Sequence, residues 1–135
     1  MTSFNFSQEP VDVPPVKTSY RRIQTALSVP QSVEIFERLS RVESRSMHDQ
    51  MPIVWDRAKD FQVFDKWGNC WIDFTSTIFV ANAGHANKVI IQSLKNILDK
   101  YLLHTYTYAS DVRADFLQNL IEKSPEEIEK AYLVS

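Results

Sequence analysis

The sequence has few of the residues that mark a metal site, a disulfide framework or a phosphate-binding loop. It contains one cysteine, Cys70, which excludes an internal disulfide and is compatible with a reducing compartment. It contains only two glycines, Gly68 and Gly84, so a glycine-rich phosphate loop is absent. Its three histidines are far apart in sequence, and no serine lies in the glycine pattern of a hydrolase nucleophile. These absences argue against a metal centre and a serine hydrolase.

Charge and hydropathy exclude further partners. The 15 basic residues are slightly outnumbered by 17 acidic ones, so no basic footprint indicates nucleic-acid binding. No apolar run approaches the roughly 20 residues that span a bilayer. The first ten residues lack the basic and apolar regions of a secretory signal. We therefore expect a cytoplasmic protein that binds neither nucleic acid nor membrane.

The chain is organised around residues 60–87. Two short aromatic-rich runs, 61–64 and 70–74, flank a turn that contains Gly68, which predicts a β-hairpin. A third apolar run, 77–81, predicts another strand. The two glycines lie at the ends of these runs, where a turn needs positive φ.

Three polar residues flank the same runs. Asp65 at the entrance of the turn predicts an Asx turn. Asp73 lies between apolar residues and needs a hydrogen-bonding partner if it is buried. His85 stands before a helix, where its imidazole could bond to backbone groups of the turn. We favour this structural role for His85 over that of a catalytic base.

Outside this stretch the pattern is mainly helical. Pro10, Pro14 and Pro15 forbid a helix in residues 1–29, which we interpret as an extended or disordered arm. Apolar periodicity and helix-start signals predict three helices, at residues 30–43, 87–103 and 110–123. A short helix is predicted after Ser124 and a buried strand at residues 131–134. A parallel partner for that strand is expected from outside this chain.

A gapless motif runs through the hairpin and the segment after it. Its residues are Phe64, Asp65, Gly68, Ile72, Asp73, Phe74, Ser76, Asn82, Gly84 and His85. The motif resembles the N-terminal part of the class III pyridoxal-phosphate (PLP) aminotransferases, in which a similar hairpin, a strand of small residues and Asn-x-Gly-His precede a long helix. The resemblance covers about residue 52 to the C-terminus.

This resemblance implies an α/β fold, namely the N-terminal fragment of a fold-type I PLP-dependent transferase. The expected elements are a helix, a β-hairpin plus third strand, a long helix and the start of the large-domain parallel sheet. The implied organisation is an arm at 1–29, the N-terminal part of the small domain plus a connecting helix at 30–105, and the start of a truncated cofactor-binding domain at 106–135. The intact enzyme is expected to be a homodimer.

The resemblance also implies an activity: transfer of an amino group from an amine or amino acid to a 2-oxo acid through pyridoxal 5′-phosphate. The Schiff-base lysine of the family lies far downstream, and no lysine here has a matching context. We therefore expect this fragment alone to be inactive, and assign it no catalytic and no cofactor-binding residue. Three residues match positions beside the substrate: Ile78, Ser76 and His48.

Several alternatives stay open at this point. A PLP-dependent mutase or decarboxylase of the same fold would share the N-terminal motif. A short non-catalytic module could instead bind a partner through its aromatic residues. Ile78 could be an ordinary core residue of a strand, and His48 an exposed loop histidine. The second aromatic cluster, Tyr106 to Tyr108, is a lesser pocket candidate.

Overall fold

The structure is a computed structural model, and it describes residues 6–47, 51–105 and 107–134. The chain forms two compact units, Met1–Ile91 and Gln92–Ser135. Both helices and strands are present, so the predicted mixture of the two is confirmed. None of the helices within the described ranges is long and apolar enough to cross a membrane.

The first unit contains a five-stranded antiparallel sheet. Its strands are β1 (Val16–Lys17), β2 (Arg22–Ile23), β3 (Arg57–Lys59), β4 (Gln62–Phe64) and β5 (Cys70–Ile72). They lie in the order β1-β2-β5-β4-β3, and each neighbouring pair is antiparallel. The predicted hairpin is β4–β5, with Val63 opposite Trp71. Strand β3, which pairs with β4, was not predicted.

Part of the N-terminal arm belongs to this sheet. Arg22 of β2 lies opposite Cys70 of β5, and the next residue, Ile23, is buried. The prolines that exclude a helix permit extended backbone, and the polar arm thereby supplies two strands. The division between an arm at 1–29 and the small domain stays a prediction.

A buried polar network fixes the hairpin turn. The Asp65 carboxylate accepts hydrogen bonds from the backbone N–H groups of Trp67 (2.9 Å) and Asn69 (2.8 Å), which confirms the predicted Asx turn. The Asn69 amide donates to Asp65 (2.7 Å) and to the Thr25 hydroxyl (2.8 Å), and its oxygen accepts from Gln24 N–H (2.8 Å). Asn69 therefore ties the turn to the segment after β2.

Helix α1 (Val33–Val42) follows a 3₁₀ turn at Pro30–Ser32, in agreement with the predicted helix. Proline is tolerated there because the first turn of a helix leaves its N–H groups unbonded. Phe36 is buried on the inner side of α1. Of the other buried apolar residues of the described chain, Val29 lies directly before the 3₁₀ turn, and three lie in strands of the sheet: Ile23, Val63 and Cys70.

Two more helices follow. Helix α2 (Lys88–Leu98) ends five residues earlier than predicted, and the backbone turns at Tyr101, whose φ is +57°. Helix α3 (Asp111–Glu122) begins after Ser110, whose side chain accepts from Arg113 N–H at 3.4 Å. This confirms the predicted N-cap.

Two sequence predictions are wrong in this structure. The run 77–81 is not a strand, because residues 76–79 all have positive φ and form a left-handed turn. The segment after Ser124 makes a single turn closed by Ile128 N–H to Pro125 C=O (2.9 Å), not a helix. Residues 131–134 pair with no strand of the described chain, and their pairing with a parallel strand from outside this chain stays a prediction.

Candidate functional site

The candidate site is a depression of about 380 Å³ between β4–β5 and the loop that follows the hairpin. It is lined by Asp60, Phe61, Asp73, Ser76, Ala81, Asn82, Ala83, Gly84 and His85. Five of these residues belong to the gapless motif of the sequence. The motif residues that follow the hairpin are therefore close together in space.

An aspartate–histidine pair is part of the lining of the site. The Asp73 Oδ2 and His85 Nε2 atoms are 2.7 Å apart, and the two side chains are only 2% and 14% exposed. The other carboxylate oxygen, Oδ1, accepts from the Thr75 N–H (2.9 Å) and from its hydroxyl (2.7 Å). Asp73 therefore has the partner that its burial requires.

These contacts change the acidity of Asp73. Burial alone raises the pKa of a carboxyl group, because it disfavours the charged form. The hydrogen bonds from His85 and Thr75 outweigh burial, and the pKa of Asp73 lies below its ordinary value. Asp73 is thus a carboxylate at neutral pH, with both oxygens hydrogen-bonded.

The backbone holds His85 in place. Its N–H donates to Asp60 C=O (2.6 Å), and its C=O accepts from Asp60 N–H (2.8 Å). The preceding Gly84 has φ +83°, which favours glycine. The Trp55 ring meets the imidazole edge-on, with 5.9 Å between centroids. The sequence predicted that the His85 imidazole would bond to backbone groups of the turn. In the structure the backbone of His85 bonds to the backbone of Asp60, and the imidazole bonds to the Asp73 carboxylate.

The loop above this pair has an uncommon backbone. Ser76, Thr77, Ile78 and Phe79 have φ values of 47°, 51°, 59° and 65°. The turn is closed by Phe79 N–H to Thr75 C=O (3.0 Å) and Ala81 N–H to Ser76 C=O (2.8 Å). Left-handed backbone is especially disfavoured for β-branched residues, so Thr77 and Ile78 are strained.

The three predicted substrate-side residues are placed differently. Ser76 is half-buried and lines the depression. Ile78 is 82% exposed on the left-handed turn and does not line it. His48 lies outside the described residues, as does Tyr106, whereas Tyr108 is exposed. Of the predicted residues, the structure thus places Ser76 at the depression, which Asp73 and His85 also line.

Two residues of the site were missed by sequence reasoning. Thr75 follows Asp73 by two positions, the spacing at which an aspartate accepts from a nearby backbone N–H, so a local signal was present. Asp60 bonds to a residue 25 positions later, and no local pattern marks such a pair.

None of the lysines, all of which lie within the described ranges, is in a setting suited to an imine with PLP. All eight lysine side chains are exposed, whereas a lysine tuned for imine formation is desolvated or beside another cation. Within the described ranges, no group of three or more His, Cys, Asp or Glu residues could hold a metal ion. We assign no cofactor chemistry to these residues.

Comparison with known proteins shows that the chain is related to the class III aminotransferases, several of which are among its curated relatives. A diaminobutyrate–2-oxoglutarate transaminase of Wolinella succinogenes is 31% identical over 91 residues, which is 67% of this chain and 21% of that protein. The motif of the hairpin and loop thus led to the correct family. No family model matches the chain.

Other relatives have different activities in their names. A leucine/methionine racemase of Thermococcus litoralis is 32% identical over 94 residues, covering 68% of this chain and 21% of the racemase. A glutamate-1-semialdehyde 2,1-aminomutase of Methanocaldococcus jannaschii is 30% identical over 80 residues, covering 55% of this chain and 19% of the mutase. The chain spans about a fifth of the length of the curated relatives it matches.

Proposed function

We propose that this chain is the N-terminal part of a fold-type I, PLP-dependent aminotransferase that moves an amino group from an amine or amino acid to a 2-oxo acid. The observation that carries the proposal is the similarity to transaminases over about two thirds of the chain. The packing of the motif residues around one depression supports it. The whole enzyme is proposed to be a cytoplasmic homodimer, with PLP held by residues outside this chain.

The chain would contribute a wall on the substrate side. The half-buried Ser76 hydroxyl lies at the depression, where it can donate to or accept from a polar group of the substrate. The exposed Ile78 side chain offers apolar surface that a substrate can cover. We retain His48 as a third substrate-side residue on the resemblance alone. In this proposal the chain binds and orients the substrate and does not move its protons.

Isomerisation is the second candidate function. A racemase and an aminomutase match this chain as well as the transaminases do. These two relatives are named for racemisation and for 2,1-amino transfer within one molecule. In neither activity does the nitrogen end on an added acceptor. The need for an added 2-oxo acid therefore separates transfer from isomerisation.

The test is transfer of labelled nitrogen. The protein from its natural source is incubated with ¹⁵N-labelled amines or amino acids and with 2-oxoglutarate or pyruvate, and the label is followed by mass spectrometry. Appearance of label in the acceptor supports transfer. Rearranged or racemised donor without labelled acceptor supports isomerisation. No change in any donor rejects both, and favours the non-catalytic binding module.

Substitutions test the proposed wall. Ser76→Ala and Ile78→Ala are expected to raise the KM for the amino donor several-fold. The matched controls are Ser93→Ala on α2 and Val42→Ala at the end of α1, both at exposed positions remote from the motif in sequence. Equal KM values in all four variants would remove Ser76 and Ile78 from the substrate site.

A further inference from the structure

We propose that Asp73 and His85 form a positioning clasp, which fixes the loop 74–84 and thereby the Ser76 wall of the depression. This inference rests on the proposed function, because it assigns the clasp an effect on substrate binding. Neither residue is proposed to touch the reacting atoms. Both would act through the backbone of the loop that carries Ser76.

The clasp closes the loop at its base. The chain leaves the hairpin at Asp73, whose N–H donates to Phe61 C=O (2.8 Å). It returns at His85, whose backbone is bonded to Asp60, the residue next to Phe61. The side-chain bond of 2.7 Å joins these two points directly. The loop ends are therefore held by the sheet and by each other.

The enclosed turn needs such a restraint. Four consecutive residues, 76–79, have left-handed backbone, which L-residues adopt in single positions and rarely in series. Apart from the bonds of Thr75 to Asp73, the hydrogen bonds that close the turn connect residues of the loop to one another. An unrestrained loop would relax to right-handed or extended backbone. The Ser76 side chain would then leave its present position.

The surroundings of the clasp fix the orientation of its two side chains. Asp73 accepts three hydrogen bonds, so its carboxylate has one orientation, and the Trp55 ring packs at the edge of the imidazole. Both side chains are largely shielded from water, which strengthens their interaction. The clasp therefore holds the loop at a fixed position relative to the sheet.

Hydrogen exchange on the whole protein and its variants tests whether the clasp orders the loop 74–84. In His85→Ala and His85→Asn, peptides that cover residues 75–83 are expected to exchange on the order of tenfold faster, because a partly buried, charge-assisted hydrogen bond is lost. His85→Gln is expected to restore slow exchange, because its amide nitrogen is located near the former Nε2 position. His104→Ala, at an exposed histidine, is the matched control. Unchanged exchange at 75–83 in the Ala and Asn variants would overturn the proposal.

Steady-state kinetics test whether the clasp positions Ser76 for substrate binding. In the Ala and Asn variants we expect the KM for the amino donor to rise by about tenfold, with kcat reduced much less, and His85→Gln to behave almost as the wild type. A purely structural role would lower the amount of active enzyme, and hence kcat, without changing KM. A fall in kcat alone would therefore contradict the clasp. If the wild type transfers no amino group, the proposed function fails, and the exchange experiment alone decides whether the clasp orders the loop.

Discussion

Asn69→Ala is the sharpest test of how the first unit is held together. Asn69 is fully buried, and its side chain connects the hairpin turn to Gln24 and Thr25. The substitution removes a hydrogen bond to the Asp65 carboxylate and leaves the Gln24 N–H without its acceptor. No apolar contact of comparable importance is lost, so the effect reports on the polar network.

The size of the effect follows from these bonds. A hydrogen bond to a charged group contributes about 1.5–3 kcal/mol, a neutral one about 0.5–1.5 kcal/mol, and an unsatisfied buried group adds about 1–3 kcal/mol. Relaxation of the site reduces the sum, and we expect a loss of roughly 3–5 kcal/mol in the free energy of opening the hairpin. Thr25→Val removes two neutral hydrogen bonds, one from the Asn69 amide and one to the Ala26 C=O, and is expected to cost about 1–3 kcal/mol.

Native-state hydrogen exchange of peptides from β4 and β5 measures this free energy. Asn69→Ala should accelerate exchange by at least about 100-fold, since about 1.4 kcal/mol corresponds to a factor of ten. Asn96→Ala is the control, because Asn96 is exposed on α2 and its change should stay within about 0.5 kcal/mol. Acceleration below tenfold, or equal to that of the control, would refute the reasoning. Thr25→Val gives a graded readout if Asn69→Ala does not fold.

Three further predictions concern the loop of the candidate site. Gly84→Ala should lower the free energy of unfolding by about 1–2 kcal/mol, because alanine is disfavoured at a φ of +83°. The added Cβ would lie 3.5 Å or more from its nearest neighbours and adds no clash, and thermal unfolding measures the loss. Thr77→Gly should stabilise by about 0.5–1 kcal/mol, since relief of left-handed strain exceeds the entropy lost by glycine; a lower unfolding temperature would contradict the left-handed turn. Asp73 has a folded-state pKa below the ordinary 3.8, so its stabilising effect is present above pH 3.8 and is lost as pH falls through the folded pKa. The difference in unfolding temperature between wild type and Asp73→Asn should therefore shrink below pH 3.8, and a constant difference would contradict this.

The features that sequence reasoning predicted correctly are those whose hydrogen bonds are local. The Asx turn joins Asp65 to residues two and four positions later, and the cap of α3 joins Ser110 to Arg113. Strands β4 and β5 are joined by a short turn, so their pairing follows from the same stretch of sequence. Each of these arrangements is determined by residue type and spacing alone.

The features that were missed depend on partners far along the chain. β2 pairs with β5 across 48 residues, and a proline-containing polar arm carries no sign of that partner. The run 77–81 has strand composition, but the Asp73–Thr75 bonds and the return of the chain to Asp60 impose a left-handed turn. At the site, Ser76 lines the depression and its role in substrate binding stays a prediction, whereas the exposure of Ile78 follows from backbone angles that its residue type disfavours.

The pairing of β2 with β5 has a consequence during synthesis. Arg22 is translated 48 residues before its partner Cys70, which at about 5–20 residues per second corresponds to a delay of roughly 2–10 seconds. The β4–β5 hairpin, in contrast, can close within microseconds once both strands are available. During that delay β1 and β2 form at most an isolated two-stranded ribbon, which is marginally stable in water. The polar, proline-containing composition of residues 7–22 suits a segment that must stay soluble while its docking strand is still being made.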